Sequence, residues 1–259
     1  MGGSSRKVLR LLARIKQDGF LTPDELQAAA AAKAKISRSQ ALRNYEELRE
    51  QGESPSAWDV SAALMACGSY RDLETGQRIH AEIGVANDSK NTIAASLVAM
   101  YAKCGKMGEA QRLFDLMGAR KKPLLAWNAI VLGYVRAGRS DRALEIFHSM
   151  QMEGVRPDER SFLAAIGACA SLAVDPGADQ EEKKNISDRV RRIHGLLEKK
   201  LVDTRACSIV TAALVDAYTK CGSIEEARVV FETMPKRDDL GFYVSAINPK
   251  INLLQSYRT

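Results

Sequence analysis

The sequence predicts an all-α fold, an α-solenoid in which helix-turn-helix repeats stack on one another. Similar segments recur along the chain at multiples of about 34 residues. Alanine, aromatic and apolar residues recur at offsets of four and seven, which places them on one face of a helix. No segment sustains the alternation of apolar and polar residues that is typical of strands. Since neither helix of a pair can bury its apolar stripe alone, neighbouring pairs must share one core.

The length of the repeat follows from similar segments that carry cysteine. Cys67 and Cys169 lie 102 residues apart, which corresponds to three periods of 34 residues. Cys104 and Cys221 lie 117 residues apart, which is fifteen residues more. A polar insertion near 174–187, which contains a Pro-Gly pair, accounts for the excess and is predicted to be a solvated loop.

Glycine, serine and proline divide each repeat into two helices. In the clearest copy, 124–158, the first helix is predicted to run to about Arg136, Gly138 to turn the chain, and Ser140 to cap the second helix. The predicted helical pairs occupy 22–56, 57–90, 91–123, 124–158, 159–207 with its inserted loop, and 208–238.

Both ends of the chain fall outside this array. Residues 1–21 carry five basic residues among leucines and isoleucine, which is typical both of an organelle transit peptide and of a basic first helix. Residues 239–259 begin like a seventh pair and lose the pattern at Pro249, so they are predicted to be a partial repeat or a C-terminal cap.

Composition excludes several classes of protein. With 46% hydrophobic and 27% charged residues the chain is neither disordered nor collagen-like, and its apolar runs are far shorter than the roughly 20 residues that span a bilayer. Five cysteines, an odd number without a dense framework, argue against a disulfide-stapled secreted module. The net charge of +6 is compatible with a polyanionic partner but does not require one.

The motifs within the repeats resemble one known family. The copy at 124–158, with Ala-Trp-Asn-Ala-Ile near its start and Gly-Val-Arg-Pro-Asp at its end, resembles a pentatricopeptide repeat. Tyr-Ala-Lys-Cys-Gly at 101–105 and Tyr-Thr-Lys-Cys-Gly at 218–222 resemble the short variant of that repeat, and Ala-Cys-Ala-Ser-Leu at 168–172 resembles the long variant. The order long, short, standard, long, short resembles the PLS-type class, which alternates standard, long and short motifs.

The resemblance implies a protein that binds single-stranded RNA in mitochondria or plastids and acts in RNA processing, stabilisation or editing. In this family each helical pair faces one base, read mainly by a residue early in the first helix and by the last residue of the repeat. Those positions hold Asn128 and Asp158 here, a pair that resembles the family's uracil-preferring combination, and Ser61 is the other polar candidate for base reading. The remaining first positions are apolar, so we expect weak sequence preference: Leu26, Ala95, Leu163 and Ala212.

Other interpretations stay open at this point. Asn128 is also compatible with an interior helix residue that touches no ligand, although the match of the whole copy favours the RNA-binding interpretation. Helical solenoids also serve as protein-protein scaffolds, and the chain is also compatible with an RNA-targeting fragment of a longer protein that carries a separate catalytic domain. Other organellar RNA-processing proteins are candidate partners.

No enzyme, cofactor or metal site is expected within this chain. His80-Ala81-Glu82 matches half of a zinc deaminase signature, but the Pro-Cys-x-x-Cys half is missing from the sequence. The cysteines at equivalent repeat positions are predicted to be buried packing residues, while Cys207 has no counterpart.

Overall fold

A computed structural model of the chain describes residues 23–83, 91–117, 122–200 and 208–232. These residues form eleven helices and contain no strand. Within the described residues no helix is both long and apolar enough to cross a membrane. In chain order the helices are α1 (Pro23–Glu50), α2 (Ala57–Tyr70), α3 (Leu73–Ile83), α4 (Thr92–Lys103), α5 (Met107–Leu116), α6 (Leu124–Arg136), α7 (Ser140–Met152), α8 (Glu159–Ala173), α9 (Gln180–Lys200), α10 (Ser208–Cys221) and α11 (Ile224–Glu232).

The helices form two compact units. The first unit contains α1 to α5, where α2 packs against α1 and α4, and α3 packs against α2 and α4. The second unit contains α6 to α11, where the first helices of successive pairs, α6, α8 and α10, pack side by side. The second helices α7 and α9 each pack against their own first helix and against the first helix of the next pair. This is the order of packing in an α-solenoid, so the predicted fold class is confirmed.

The core of each unit is built on the predicted offsets of four and seven. Ala143, Phe147 and Met150 are buried on α7, and the same alanine and phenylalanine pattern is buried on α5 and α11. Alanine permits close approach of two helices, while each buried phenylalanine contributes roughly 1.5–3 kcal/mol by leaving water. The repeated residues are therefore packing residues of the second helices.

The turn after α6 forms as the glycine predicts. Gly138 adopts a φ of +72°, which side chains with a Cβ rarely adopt, and the Arg139 amide donates to the carbonyl oxygen of Tyr134 at 2.9 Å. The prediction that Ser140 caps α7 was wrong. Arg139 occupies the cap position without a side-chain hydrogen bond, and Ser140 is already helical and buried.

The first predicted pair, 22–56, is a single helix. α1 runs without a break over 28 residues, from Pro23 to Glu50. Its interior lacks glycine and proline and is rich in alanine, glutamate, lysine and arginine, all strong helix formers. Because nothing in this stretch turns the chain before Gly52, the prediction of two helices here was wrong.

The inserted loop is much shorter than the predicted 174–187. Only residues 174–179 lie outside helices, since Asp179 accepts a hydrogen bond from the Glu182 amide at 2.8 Å and α9 begins at Gln180. Ser187 is buried, with its hydroxyl 2.6 Å from that of Ser223. The polarity of this stretch suggested a loop, but glutamate and lysine also favour helix. The Asp179 carboxylate caps the start of α9.

Among the described residues, two helices lie within each of the remaining predicted pairs: 57–90, 91–123, 124–158, 159–207 and 208–238. The segments 1–21 and 239–259 and residue Cys207 lie outside the described residues.

Candidate nucleic-acid interface

The two residues predicted to read one base lie in direct contact. Asn128 belongs to the second turn of α6, and Asp158 directly precedes α8, the next first helix. The Asn128 Nδ2 group donates a hydrogen bond to Asp158 Oδ1 at 2.9 Å. Both side chains are only partly buried. The sequence placed these residues thirty positions apart, and the packing of α6 against α8 brings them together.

Asp158 is held in place because it also caps α8. Its Oδ1 accepts a hydrogen bond from the Ser161 amide at 2.9 Å, and its own amide donates to Ser161 Oγ at 3.1 Å. This reciprocal arrangement is a capping box, which satisfies backbone donors at the start of a helix. One carboxylate therefore fixes the start of α8 and contacts the candidate reader on α6.

The environment of Asp158 favours its charged form. Burial raises the pKa of this carboxyl, but hydrogen bonds from the Ser161 amide and from Asn128, together with the nearby Arg160 charge, outweigh burial and lower it. Asp158 is consequently an ionised acceptor near neutral pH, which suits it to hold the nitrogen end of the Asn128 amide.

The Asn128 amide retains capacity for a ligand. A primary amide has two N–H groups and two oxygen lone pairs. One N–H is directed at Asp158, and the oxygen lies 2.5 Å from Ser161 Oγ. Within the described contacts one donor and one acceptor remain, on the two flanks of the amide, and each of them can form one hydrogen bond to the Watson-Crick edge of a base.

The corresponding positions on other first helices differ. Ala95 on α4 and Ala212 on α10 are 1% and 8% exposed, and Leu163 on α8 is apolar and half-buried. The Leu26 side chain lies outside the described residues.

Ser61 on α2 has a buried hydroxyl without a hydrogen-bond partner among the described residues. The last residue of its repeat, position 90, lies outside those residues, so its role as a reader stays a prediction.

Apolar side chains are exposed on the first helices. Trp58 on α2 is 75% exposed and Ile209 on α10 is 61% exposed, both near the start of their helix. Sequence reasoning missed Trp58, although its place two residues after the Ser56 cap indicates an exposed first turn. Exposed aromatic and apolar surfaces of this kind accept the faces of unstacked bases.

Sequence reasoning also missed Ser161, which contacts both Asn128 and Asp158. The spacing Asp-x-x-Ser from 158 to 161 resembles a capping box and could have drawn attention to it.

The second helices carry compensated charges. Arg78 of α3 pairs with Glu46 of α1, and Arg191 of α9 pairs with Glu226 of α11. Because these cations are already paired with carboxylates, this surface is a weaker candidate for contacts to phosphate than the first helices.

The repeated histidine and cysteine residues take structural positions. His80 Nδ1 lies 2.9 Å from the Tyr101 hydroxyl, and His194 Nδ1 lies 3.3 Å from that of Tyr218. The cysteine side chains at equivalent positions are free thiols, and burial raises the pKa of Cys169 to about 12. No group of three potential metal ligands occurs in the described part of the chain.

Solved structures that align with the chain include that of the pentatricopeptide repeat protein PPR10 from maize. The alignment has 18% sequence identity, covers 100% of this chain and 46% of that chain, and has a TM-score of 0.35. A structure of PPR10 with an 18-nt psaJ RNA element aligns at 16% identity over 99% of this chain and 49% of that chain, with a TM-score of 0.32.

Curated relatives come from Arabidopsis thaliana. The pentatricopeptide repeat-containing protein At1g11290, chloroplastic, is 33% identical over 76% of this chain and 23% of its own length. The protein At3g09040, mitochondrial, is 30% identical over 77% of this chain and 18% of its own length. The chain thus spans about a quarter or less of the length of these relatives.

Helical pairs stacked in chain order define a repeat protein of the α-solenoid class. Within it, the model of the PPR repeat family matches residues 124–171, and the model of the PPR repeat matches residues 95–121 and 212–238. The chain belongs to the pentatricopeptide repeat family. Its assignment to the PLS-type class stays a prediction from the order of the motifs.

Proposed function

We propose that the chain binds single-stranded RNA and reads one nucleotide with Asn128 and Asp158. The observation that carries this proposal is the hydrogen bond from Asn128 Nδ2 to Asp158 Oδ1, which orients an amide with one donor and one acceptor in reserve. Repeats of this family read one base per helical pair through two or three side chains. The preferred base is uracil, and Ser61 is a second, weaker reader.

Most of the affinity comes from contacts that are independent of sequence. Trp58 and Ile209 offer exposed surfaces to base faces. Arg160 is exposed and lies two residues after Asp158, where its charge can meet a phosphate of the bound strand.

The biological role we propose is positioning on a transcript in organellar RNA processing, stabilisation or editing, without chemistry by this chain. The names of the relatives, chloroplastic and mitochondrial, support an organellar location. Other RNA-processing proteins of the organelle are further proposed partners.

A protein-binding scaffold is the second candidate. The observation that favours it is the burial of Ala95 and Ala212, which removes two of the reading positions from contact with a base edge. Helical solenoids present similar surfaces to peptides. The two candidates differ in their response to salt, since phosphate contacts release counterions.

The test is a titration of the chain with uracil-rich, cytosine-rich and adenine-rich single-stranded RNA at low and high salt. We expect affinity to fall as salt rises and the uracil preference to disappear in Asn128→Ala. The control is Ser171→Ala, which removes an exposed hydroxyl bonded to Gly167 within the same helix. Absence of binding to every RNA would reject the proposal and favour the scaffold.

A further inference from the structure

We propose that Ser161, which lies in the helix after the reader pair, fixes the orientation of the Asn128 amide and so sets the choice between uracil and cytosine. This inference rests on the proposed RNA-binding function. Ser161 acts as a positioning residue, because it contacts the reader pair and lies fully buried beneath it, at 0% exposure.

The amide of Asn128 is held at both ends. Its nitrogen donates to Asp158 Oδ1 at 2.9 Å, and its oxygen lies 2.5 Å from Ser161 Oγ. Ser161 Oγ in turn accepts the Asp158 amide at 3.1 Å and lies 2.8 Å from Asp158 Oδ1. The three side chains form a closed ring of contacts.

The chemistry of these groups permits one orientation of the amide. An ionised carboxylate only accepts hydrogen bonds, so the nitrogen of Asn128 must face Asp158. The oxygen must then face Ser161, where the hydroxyl hydrogen is the matching donor. That hydroxyl has a single hydrogen, which it donates to the Asn128 oxygen. The Asp158 carboxylate then accepts hydrogen bonds from the Ser161 backbone nitrogen and from the Asn128 side-chain nitrogen.

A fixed amide distinguishes the two pyrimidines. At the same two positions of the Watson-Crick edge, uracil presents a carbonyl acceptor and an N–H donor, whereas cytosine presents an amino donor and a ring nitrogen acceptor. The hydrogen-bonding character of each position is therefore reversed between the two bases. A clamped amide presents its remaining N–H on one fixed side and its remaining oxygen lone pair on the other, so at a given position it forms its hydrogen bond with one of the two bases, whereas an amide free to rotate by half a turn can pair with either.

Loss of the Ser161 hydroxyl should therefore weaken discrimination more than affinity. In Ser161→Ala the amide oxygen loses its donor, and the ratio of uracil to cytosine affinity should fall by roughly five-fold, the effect of one hydrogen bond. Ser161→Thr keeps the hydroxyl and should restore the ratio. The measurement is binding to adenine-background RNA with one uracil or one cytosine placed at each position in turn.

The matched control lies in the capping box of α2. There Ser56 caps the helix and its amide donates to Asp59 Oδ2 at 3.1 Å, the same arrangement that Asp158 and Ser161 form at α8. Asp59→Ala should lower stability to a similar extent as Ser161→Ala and leave the uracil to cytosine ratio unchanged. A merely structural role for Ser161 would make the two variants indistinguishable.

A second measurement is independent of RNA. Nuclear magnetic resonance of the Asn128 side-chain amide should show slow hydrogen exchange in the parent chain and faster exchange in Ser161→Ala. If the parent chain binds no RNA, the proposed function fails, and the exchange rate alone decides whether Ser161 clamps the amide. If the chain binds RNA but the ratio survives in Ser161→Ala, the inference is overturned while the proposed function stands.

Discussion

At the scale of single residues, His80 and His194 are partly buried imidazoles, and each contacts a tyrosine of the next helix. Burial lowers the pKa of both histidines. Around His80 the Arg112 charge lowers the pKa further while Glu109 opposes it, and around His194 only the Glu198 charge opposes burial. Both histidines therefore favour the neutral form in the folded chain.

Stability should fall as the pH is lowered from about 7 to 5. The unfolded histidines take up a proton near pH 6.5 and the folded ones at lower pH, so the unfolded state binds more protons through this window. This loss of stability is absent at pH values above the histidine pKa of the unfolded chain and complete at pH values below the histidine pKa of the folded chain. Urea unfolding at several pH values measures it.

The double variant His80→Gln, His194→Gln should flatten this dependence on pH. His148→Gln, which removes an exposed imidazole from α7, serves as the control. An unchanged slope in the double variant would show that other groups cause the loss of stability.

At the scale of elements, the crossing of α2 and α4 depends on the absence of a side chain at Gly68. A Cβ built there lies 3.1 Å from the Met100 Cα atom and 3.1 Å from Lys103 Cδ. The lysine side chain can move, but the backbone of α4 can yield only if the helix shifts. Gly68 thus sets the distance between two first helices.

Gly68→Ala should lower the free energy of unfolding by about 1 kcal/mol, because strain from overpacking exceeds the gain in helix propensity. Gly167→Ala is the matched control, since Gly167 also lies within a first helix and its Cβ would meet nothing within 4 Å. That variant should gain up to about 1 kcal/mol. Equal effects in chemical denaturation would show that the α2–α4 crossing tolerates a methyl group.

At the scale of the whole molecule, the proposed base recognition is concentrated in one helical pair. Among the described first helices, Asn128 alone combines a polar reading position with a hydrogen-bonded carboxylate, while Ala95, Leu163 and Ala212 offer no hydrogen-bonding group from their side chains. The chain should therefore bind many RNA sequences and discriminate mainly at one nucleotide, with a weaker contribution from Ser61.

A scan that changes each nucleotide of a bound RNA in turn should find one sensitive position. We expect a loss of about five- to a hundred-fold there, corresponding to about 1–3 kcal/mol, and little change elsewhere. Asn128→Ala should make the profile flat. Several positions of equal sensitivity would mean that residues other than Asn128 and Asp158 read bases.

The sequence alone predicted the all-α class and the repeat, and the resemblance to the pentatricopeptide repeat family predicted the pairing of Asn128 with Asp158. The class and the repeat depend on local information, since a helix face shows in the spacing of alanine and phenylalanine and the turn shows in Gly138. The same local reasoning wrongly divided α1 into two helices and wrongly assigned the first third of α9 to a loop. The first error arose because the absence of glycine does not by itself show where a helix ends, and the second because charged residues occur in loops and in helices alike.

The tertiary structure alone decided which groups meet. Only the packing of α6 against α8 brings Ser161 to the Asn128 oxygen across 33 positions of sequence. Tertiary packing likewise buries Ala212 on α10 and leaves Trp58 on α2 exposed. The spacing of residues in the sequence does not predict such contacts, because they depend on how closely two helices approach and in which register they pack. The sequence therefore determined which residues are candidates for reading a base, and the packing of the helices determined how the Asn128 amide is held.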